Sequence, residues 1–270
     1  MKKLSRTSMA GIIGLGVFSV ALPAFAASSL CSLLPSQAKL KAALISAVAA
    51  KNGGLVFNMW ATLVANDGTA CAVAFSGKVY TDQWLLSRII SAQKANTANG
   101  LSLSTGGPPS GTGLALSTAN LYSAVQPGGS LYGLQHSNPV DATVAYQGSV
   151  GAFGTTSDPI VGDRVGGVNV FGGGLALYLS GGKKIGAVGV SGDTSCTDHF
   201  VAWRVRQTLG LDHLGTLGEV SGDPKRPDNI VYDIKSNPNG GTGISASGFG
   251  HPQCSPATPS PKTLPPVRNP

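Results

Sequence analysis

The sequence predicts an α+β fold in which helices cover one antiparallel sheet. Two pairs of short apolar runs are each separated by a tight turn, and strands joined in this way pair antiparallel. Three other segments repeat apolar residues at helical spacing, and such helices bury that stripe against a sheet. The 270 residues are 42% hydrophobic and 11% charged, which excludes a disordered chain, and one domain is expected at this length.

Boundary residues place the three helices at residues 35–52, 81–100 and 195–210. The first opens with Pro35-Ser36, the second with Thr81-Asp82, and the third can be capped by Ser195 or Thr197. Hydroxyl and carboxylate side chains at a helix start accept free backbone N–H groups, and Gly or Asn commonly follows the end. These segments should form the helical layers of the domain.

Two hairpins are predicted to form the sheet. The first joins residues 55–65 and 69–75 through an Asp-Gly turn, and the second joins residues 175–179 and 185–190 through a Gly-Gly turn. Between them, residues 101–171 lose regular periodicity, and Gly, Ser, Thr and Pro recur every few residues. Because long loops are often functional, we expect this insertion to form one side of a pocket or an interface.

Both ends of the chain differ in composition from the domain. Residues 1–26 combine Lys2, Lys3 and Arg6 with a short apolar run and an Ala-Phe-Ala exit, the pattern of a bacterial secretory signal peptide. The run is too short to favour a membrane span. The domain is therefore predicted at residues 27–254, and the six prolines within residues 255–270 predict a disordered tail.

Charge and export limit the partners and the compartment. Loss of the three basic residues of the signal peptide lowers the formal charge from +7 to +4, and no basic cluster with interleaved aromatic residues remains. Nucleic-acid binding therefore has little support. Export predicts a periplasmic or secreted protein, without a membrane span once the signal peptide is cleaved.

The four cysteines, Cys31, Cys71, Cys196 and Cys254, all lie in the mature chain. An even number in an oxidising compartment predicts two disulfides, and the sequence alone leaves three connectivities open. No two cysteines have the spacing of a zinc ribbon, of a thioredoxin-type redox site or of covalent haem attachment.

The densest polar constellation is residues 192–199, at a strand-to-helix junction. Free N–H groups at a helix start can hold an anionic group such as a propionate, and His199 can ligate a metal or a haem iron. Alternatively, the Asp, Ser and Thr side chains only cap the helix, and His199 has only packing or hydrogen-bonding contacts within the protein. His251 has the same two alternatives. Ser191 lies in Gly-x-Ser-x-Asp, which lacks the final Gly of a nucleophile elbow, so a serine hydrolase is disfavoured.

The motifs around this junction resemble the GlcG/HbpS family, also called the haem-degrading or DUF336 domain, in an exported branch. The resemblance covers roughly residues 36–214 and is carried by residues 185–199, 91–98, 202–204, 209–212 and 228–230, by Asp67-Gly68, and by Gly250-His251-Pro252-x-Cys254. It implies a profilin-like domain, homo-oligomers and non-covalent haem binding. It also implies the pairs Cys196–Cys254 and Cys31–Cys71, the first of which would bring His251 close to Asp198 and His199.

Three functions are weighed from these features. The first is an exported haem-binding protein that handles haem or iron and uses His199 as the iron ligand. Asp198, Arg204 and His251 complete the predicted site, and Arg204 or Arg206 can pair with propionates. The second is an enzyme that degrades haem, although the sequence supplies no recognisable catalytic set. The third is an oligomeric domain that binds another small molecule or a protein. Binding is favoured over catalysis.

Overall fold

The computed structural model describes residues 29–105, 111–241 and 243–269, so the predicted signal peptide lies outside the described residues. The longer helices are α1 (Gln37–Val48), α2 (Ser87–Leu101) and α5 (Ser195–Thr208), and the short ones are α3 (Leu121–Ala124) and α4 (Ala142–Ala145). The strands are β1 (Trp60–Ala65), β2 (Ala70–Phe75), β3 (Gly174–Leu179), β4 (Lys183–Ser191), β5 (Ile234–Lys235) and β6 (Ile244–Ser245).

The four main strands form an antiparallel sheet in the order β2-β1-β4-β3, with both predicted hairpins present. Alternate residues of β1 face opposite layers, as strand geometry requires. Leu63 packs into the core beneath α1 and α5, whereas Val64 packs beside α2. Helices on both faces of an antiparallel sheet confirm the predicted α+β class.

One glycine allows α2 to lie directly on the sheet. A Cβ atom at Gly189, in the central strand β4, would collide with the backbone of Ser91 and Ala95 in α2. Glycine is therefore required here because two backbones approach closely. The same close packing puts Thr62 Oγ1 2.7 Å from Ser91 Oγ, which satisfies both buried hydroxyls.

Two element boundaries differ from the prediction. The first strand begins at Trp60 and not at residue 55, because the Asp193 carboxylate accepts the N–H groups of Leu55 and Phe57 and holds this segment off the sheet. The cap of α5 is Thr194, whose hydroxyl accepts Thr197 N–H at 3.4 Å, and not Ser195 or Thr197. Both differences come from side chains that compete for backbone groups.

The insertion between the two hairpins is ordered by side-chain anchors, not by regular structure. The buried Asp158 carboxylate pairs with Arg88 of α2 and accepts the N–H groups of Gly154 and Ile160. One buried ion pair thus fastens the loop to the helix. Anchors of this kind leave no periodicity in the sequence, which is why the segment could only be predicted as a loop.

The predicted disordered tail, residues 255–270, packs against the domain as far as it is described. Leu264 is fully buried in the main core, and Trp203 Nε1 donates to Pro265 O at 3.1 Å. Val267 N donates to Lys225 O at 3.0 Å. Prolines lack an N–H group but keep their carbonyls, so a proline-rich segment can still be held by donors of the domain.

Both disulfides implied by the family resemblance are present, Cys31–Cys71 and Cys196–Cys254, so all four cysteines are paired. The first ties the segment before α1 to β2, and the second ties the first turn of α5 to the segment after β6. Among the described residues, no helix is both long and apolar enough to cross a membrane.

Candidate functional site

The junction between β4 and α5 is organised by the buried carboxylate of Asp198. Its Oδ1 accepts the N–H groups of Gly192 and Asp193 at 3.1 and 2.9 Å, and its Oδ2 lies 2.6 Å from Lys94 Nζ. Burial raises the pKa of Asp198 to about 6, against the opposing effect of Lys94. At pH 7 the carboxylate is therefore ionised opposite the lysine, and it closes the turn into the helix.

Lys94 is held from three sides in the middle of α2. Besides Asp198, its ammonium group donates to Val190 O at 3.2 Å and lies 4.0 Å from the ring centroid of Phe171. Burial lowers the pKa of Lys94, and the charge of Asp198 opposes this shift. The pair joins α2 to α5 and leaves neither charge facing solvent.

His199 is fully buried behind the segment that follows residue 228. Its Nε2 lies 3.2 Å from Asn229 Oδ1 and 3.1 Å from Ile230 N, whereas its Nδ1 has no hydrogen-bond partner among the described residues. Burial lowers the pKa of His199 to about 4, so the ring is neutral at pH 7. One nitrogen is therefore free, but the ring reaches no solvent.

His251 lies against the first turn of α5, as the Cys196–Cys254 pairing predicts. Its Nε2 is 2.6 Å from Ser195 Oγ, and its Nδ1 lies 2.6 Å from Pro252 O. Because the carbonyl only accepts, Nδ1 carries the proton and Nε2 accepts the Ser195 hydroxyl. Burial lowers the pKa of His251 to about 4.

The four predicted site residues thus divide into two groups. Asp198, His199 and His251 meet around the start of α5, but Arg204 lies at the other side of the helix, where its Nε donates to Asn52 Oδ1 at 2.9 Å. Arg206 pairs with Asp228 in the interior, and both side chains are fully buried. The structure therefore does not bring either arginine to the junction.

A metal-ligand grouping also lies at the junction. Ligand atoms of Cys196, His251 and Cys254 fall within 4.8 Å of one another. Both sulfur atoms belong to the disulfide, so in this state the group offers no thiolate to a metal. His199, the predicted metal ligand, is not one of the three.

A cleft of about 470 Å³ is lined in part by Asn229 and Ile230, the two residues that contact His199 Nε2. We call it the Tyr232 cleft; its walls are formed by Ser221, Asp223, Asn229, Ile230, Val231, Tyr232, Gln253, Pro259, Ser260, Pro261 and Lys262. The Tyr232 hydroxyl is buried and has no hydrogen-bond partner among the described residues. Burial raises the pKa of this phenol, so it is protonated in the free protein.

No protein-family model and no curated protein sequence matches the chain. Several solved structures are similar to it, and three of them are the following. Protein ORFY of Klebsiella pneumoniae, described as DUF336, is 24% identical with a TM-score of 0.41, covering 65% of this chain and 90% of its own. A PduOC complex with haem is 22% identical with a TM-score of 0.42, covering 67% and 94%. A double mutant of Streptomyces reticuli HbpS is 12% identical with a TM-score of 0.38, covering 75% and 99%.

The names DUF336 and HbpS are those of the family that the motifs around residues 185–199 resemble.

Two features of the site were missed by sequence reasoning. Tyr232 lies in a short run with no motif around it, and only tertiary packing reveals that none of the described residues pairs with its hydroxyl. The contact between Ser195 and His251 joins residues 56 positions apart. Its one signal was the expectation that the Cys196–Cys254 bridge draws His251 towards α5.

Proposed function

We propose that the chain is an exported protein that binds haem non-covalently in the Tyr232 cleft. The observation that carries this proposal is a cleft of about 470 Å³ lined by Tyr232, whose buried hydroxyl has no hydrogen-bond partner within the described part of the chain. Ligand sites commonly measure roughly 300–1,000 Å³ and combine apolar walls with a few polar groups. An unpartnered phenol is costly to bury, and a bound group that pairs with it would remove this cost.

The lining residues fit the parts of a haem. Val231 and Pro259 offer apolar surface to the macrocycle, and exposed Lys262 offers a cation to a propionate. Tyrosine is one of the side chains that hold haem iron. Bound haem would supply an iron centre able to exchange electrons or to bind small ligands. His199 has a positioning role here, because its ring contacts Asn229 and Ile230, two residues of the cleft wall.

The motif resemblance at the β4–α5 junction supports haem as the ligand, and the two disulfides support export. Disulfides persist in oxidising compartments and are rare in the cytosol. Within this proposal the protein acts in the periplasm or in the medium and takes part in haem or iron handling.

A hemin titration of the protein from Ala27 onward, followed by absorbance, tests the proposal. We expect a saturable Soret shift in the parent protein and affinity about tenfold or more weaker in Tyr232→Phe, a loss of at least 1.4 kcal/mol. The substitution removes only the hydroxyl. Tyr146→Phe, at a tyrosine that is 62% exposed elsewhere, is the matched control and should bind as the parent does.

His199→Ala distinguishes the two candidate iron ligands. If it abolishes the Soret shift while Tyr232→Phe binds as the parent does, Tyr232 is not the iron ligand and its assigned role is contradicted. If the parent protein shows no shift at micromolar hemin, haem binding is contradicted, and a non-haem ligand becomes the better proposal.

We also propose that the chain forms a homo-oligomer through one apolar face. The face comprises seven exposed side chains on two adjacent loops: Leu55, Val56, Phe57, Val79, Trp84, Leu85 and Leu86. The loops are joined by a bridge between Asn58 and Gln83 and by a contact of the Phe57 and Trp84 rings at 5.2 Å. Contiguous exposed apolar surface marks interaction sites.

The turn at Val56 is held against its own backbone preference. Val56 is 84% exposed and has a φ of 64°, which costs a β-branched residue on the order of 1–3 kcal/mol. The Asp193 carboxylate imposes this turn through the N–H groups on either side. Lys78 and Asp82 are exposed at the edge of the face. In a dimer with two-fold symmetry, the lysine of each copy can pair with the aspartate of the other.

Leu86→Asp should shift the protein towards monomer in sedimentation velocity across a concentration series. The change places a charge in the apolar face at a residue that is 67% exposed, and it precedes α2, where a carboxylate suits the helix start. Ile244→Asp, at 60% exposure outside the face, is the control. A parent protein that is monomeric at every concentration would refute the proposal.

A further inference from the structure

We propose that Ser195 is a nucleophile and His251 its general base, in a site that hydrolyses small carboxylic esters. Ser195 Oγ lies 2.6 Å from His251 Nε2, within the distance at which a serine and its base exchange a proton. This pair is separate from the Tyr232 cleft, whose walls include neither residue.

The base is oriented by a third group, as nucleophilic catalysis requires. His251 Nδ1–H donates to Pro252 O at 2.6 Å, which fixes the tautomer and leaves the Nε2 lone pair directed at Ser195. The carbonyl takes the place that a carboxylate holds in a Ser-His-Asp triad. Burial lowers the pKa of His251 to about 4, so the ring is neutral at pH 7 and its Nε2 lone pair is free to accept a proton, but the same burial disfavours the imidazolium, which only the Pro252 carbonyl would stabilise.

Ser195 lies between a strand and a helix, as the serine of a nucleophile elbow does, but without the strained turn that defines an elbow. Strand β4 ends at Ser191, a short turn follows, and Ser195 is the first residue of the 14-residue helix α5. In an elbow, the N–H group of the residue after the nucleophile stabilises the oxyanion. Here that group belongs to Cys196, and it has only the weak sulfur acceptor of Cys254 at 3.1 Å.

A further donor acts on the nucleophile itself. Gly172 N–H donates to Ser195 Oγ at 2.7 Å, which stabilises negative charge on that oxygen. Ser191, the serine of the sequence motif, is by contrast buried and lies 3.3 Å from Ser87 Oγ. The structure therefore points to Ser195, four residues beyond the serine that the motif suggests.

Exposure sets the substrate class. Ser195 is partly exposed, whereas His251 is 2% exposed and lies beneath the Tyr122 ring, whose centroid is 5.0 Å from that of the histidine. Because the histidine beside it is buried, we assign a small acyl group as the part of the substrate that meets Ser195.

The reaction proceeds in two balanced steps. Ser195 Oγ forms a bond to the acyl carbon, its proton passes to His251 Nε2, and the alcohol leaves with that proton as the ester bond breaks. Water then attacks the acyl-serine and gives a proton to Nε2. The proton returns to Ser195 Oγ as the carboxylic acid is released.

The test uses the mature, oxidised protein with p-nitrophenyl acetate as substrate and a fluorophosphonate as covalent probe. We expect turnover above the buffer rate and one phosphonylated peptide, with the adduct on Ser195. Mass spectrometry of the unaltered protein gives this result without any variant. An adduct on another residue, or no adduct at all, would overturn the proposal.

Ser195→Ala and His251→Ala should each lower turnover at least about 100-fold and abolish labelling. Ser236→Ala, at an exposed serine distant in sequence, is the control and should leave both unchanged. Circular dichroism verifies that each variant is folded, and a peptide map verifies the Cys196–Cys254 bridge. Turnover retained in a folded Ser195→Ala protein would exclude the serine as nucleophile.

Discussion

Asp198→Asn is expected to lower the free energy of unfolding by about 3–5 kcal/mol, because it leaves a buried ammonium group without its counter-ion. Lys94 and Asp198 are both fully buried, and their charged atoms lie 2.6 Å apart. Asparagine keeps an acceptor oxygen for the N–H groups of Gly192 and Asp193, so the turn into α5 retains its hydrogen bonds. The substitution therefore isolates the loss of charge.

Urea denaturation followed by circular dichroism measures this effect. Lys94→Met combined with Asp198→Asn removes both charges and should recover most of the lost stability, since buried pairs can be replaced by apolar groups at little cost. Asp67→Asn is the surface control: its partner Arg164 is 66% exposed, so we expect a loss below about 1 kcal/mol. A single variant as stable as the parent would contradict the buried-pair argument.

Acid should destabilise the protein between pH 6.5 and pH 4, because two histidines are buried in neutral form. The pKa values of His199 and His251 are lowered from 6.5 to about 4 by burial. When folding lowers the pKa of a group, the unfolded chain binds the proton more tightly than the folded protein does. The stability that the protein has above pH 6.5 is therefore lost as the pH falls towards the folded-state pKa of about 4. Each histidine contributes on the order of 3 kcal/mol to the full loss.

Unfolding free energies at pH 7.0, 5.5 and 4.5 provide the measurement. His199→Gln and His251→Gln should each flatten the dependence of stability on pH, and exposed His136→Gln is the control. The pKa of Asp198 is raised to about 6, so its protonation stabilises the folded protein as the pH falls and opposes the effect of the histidines. Differences between the variants are therefore more informative than the pH dependence of the parent protein alone. Parallel curves for all variants would show that neither buried histidine controls acid stability.

Local patterns predicted the elements of this fold because their causes are local. Ser36 accepts Lys39 N–H at the start of α1, and the turn residues of both hairpins are adjacent in the chain. The beginning of β1 could not be predicted, because it depends on Asp193, more than 130 residues away. The same limit applies to the tail, since nothing near Leu264 indicates that it enters the core.

The candidate site was predicted in position but not in chemistry. Residues 192–199 do lie at a strand-to-helix junction, and His251 does reach it. The sequence could not show that His199 faces protein on all sides, or that Arg204 points away from the junction. Nor could it choose between Ser191 and Ser195, since only the fold decides which hydroxyl meets a histidine.

The packing of Leu264 also has a consequence for the order in which the molecule is completed. The core around α5 receives one of its apolar side chains from residue 264, and the partner of Cys196 lies at residue 254. The residues that precede position 254 therefore cannot complete this packing by themselves, and α5 obtains both its disulfide partner and its last apolar neighbour only when the segment after β6 has docked.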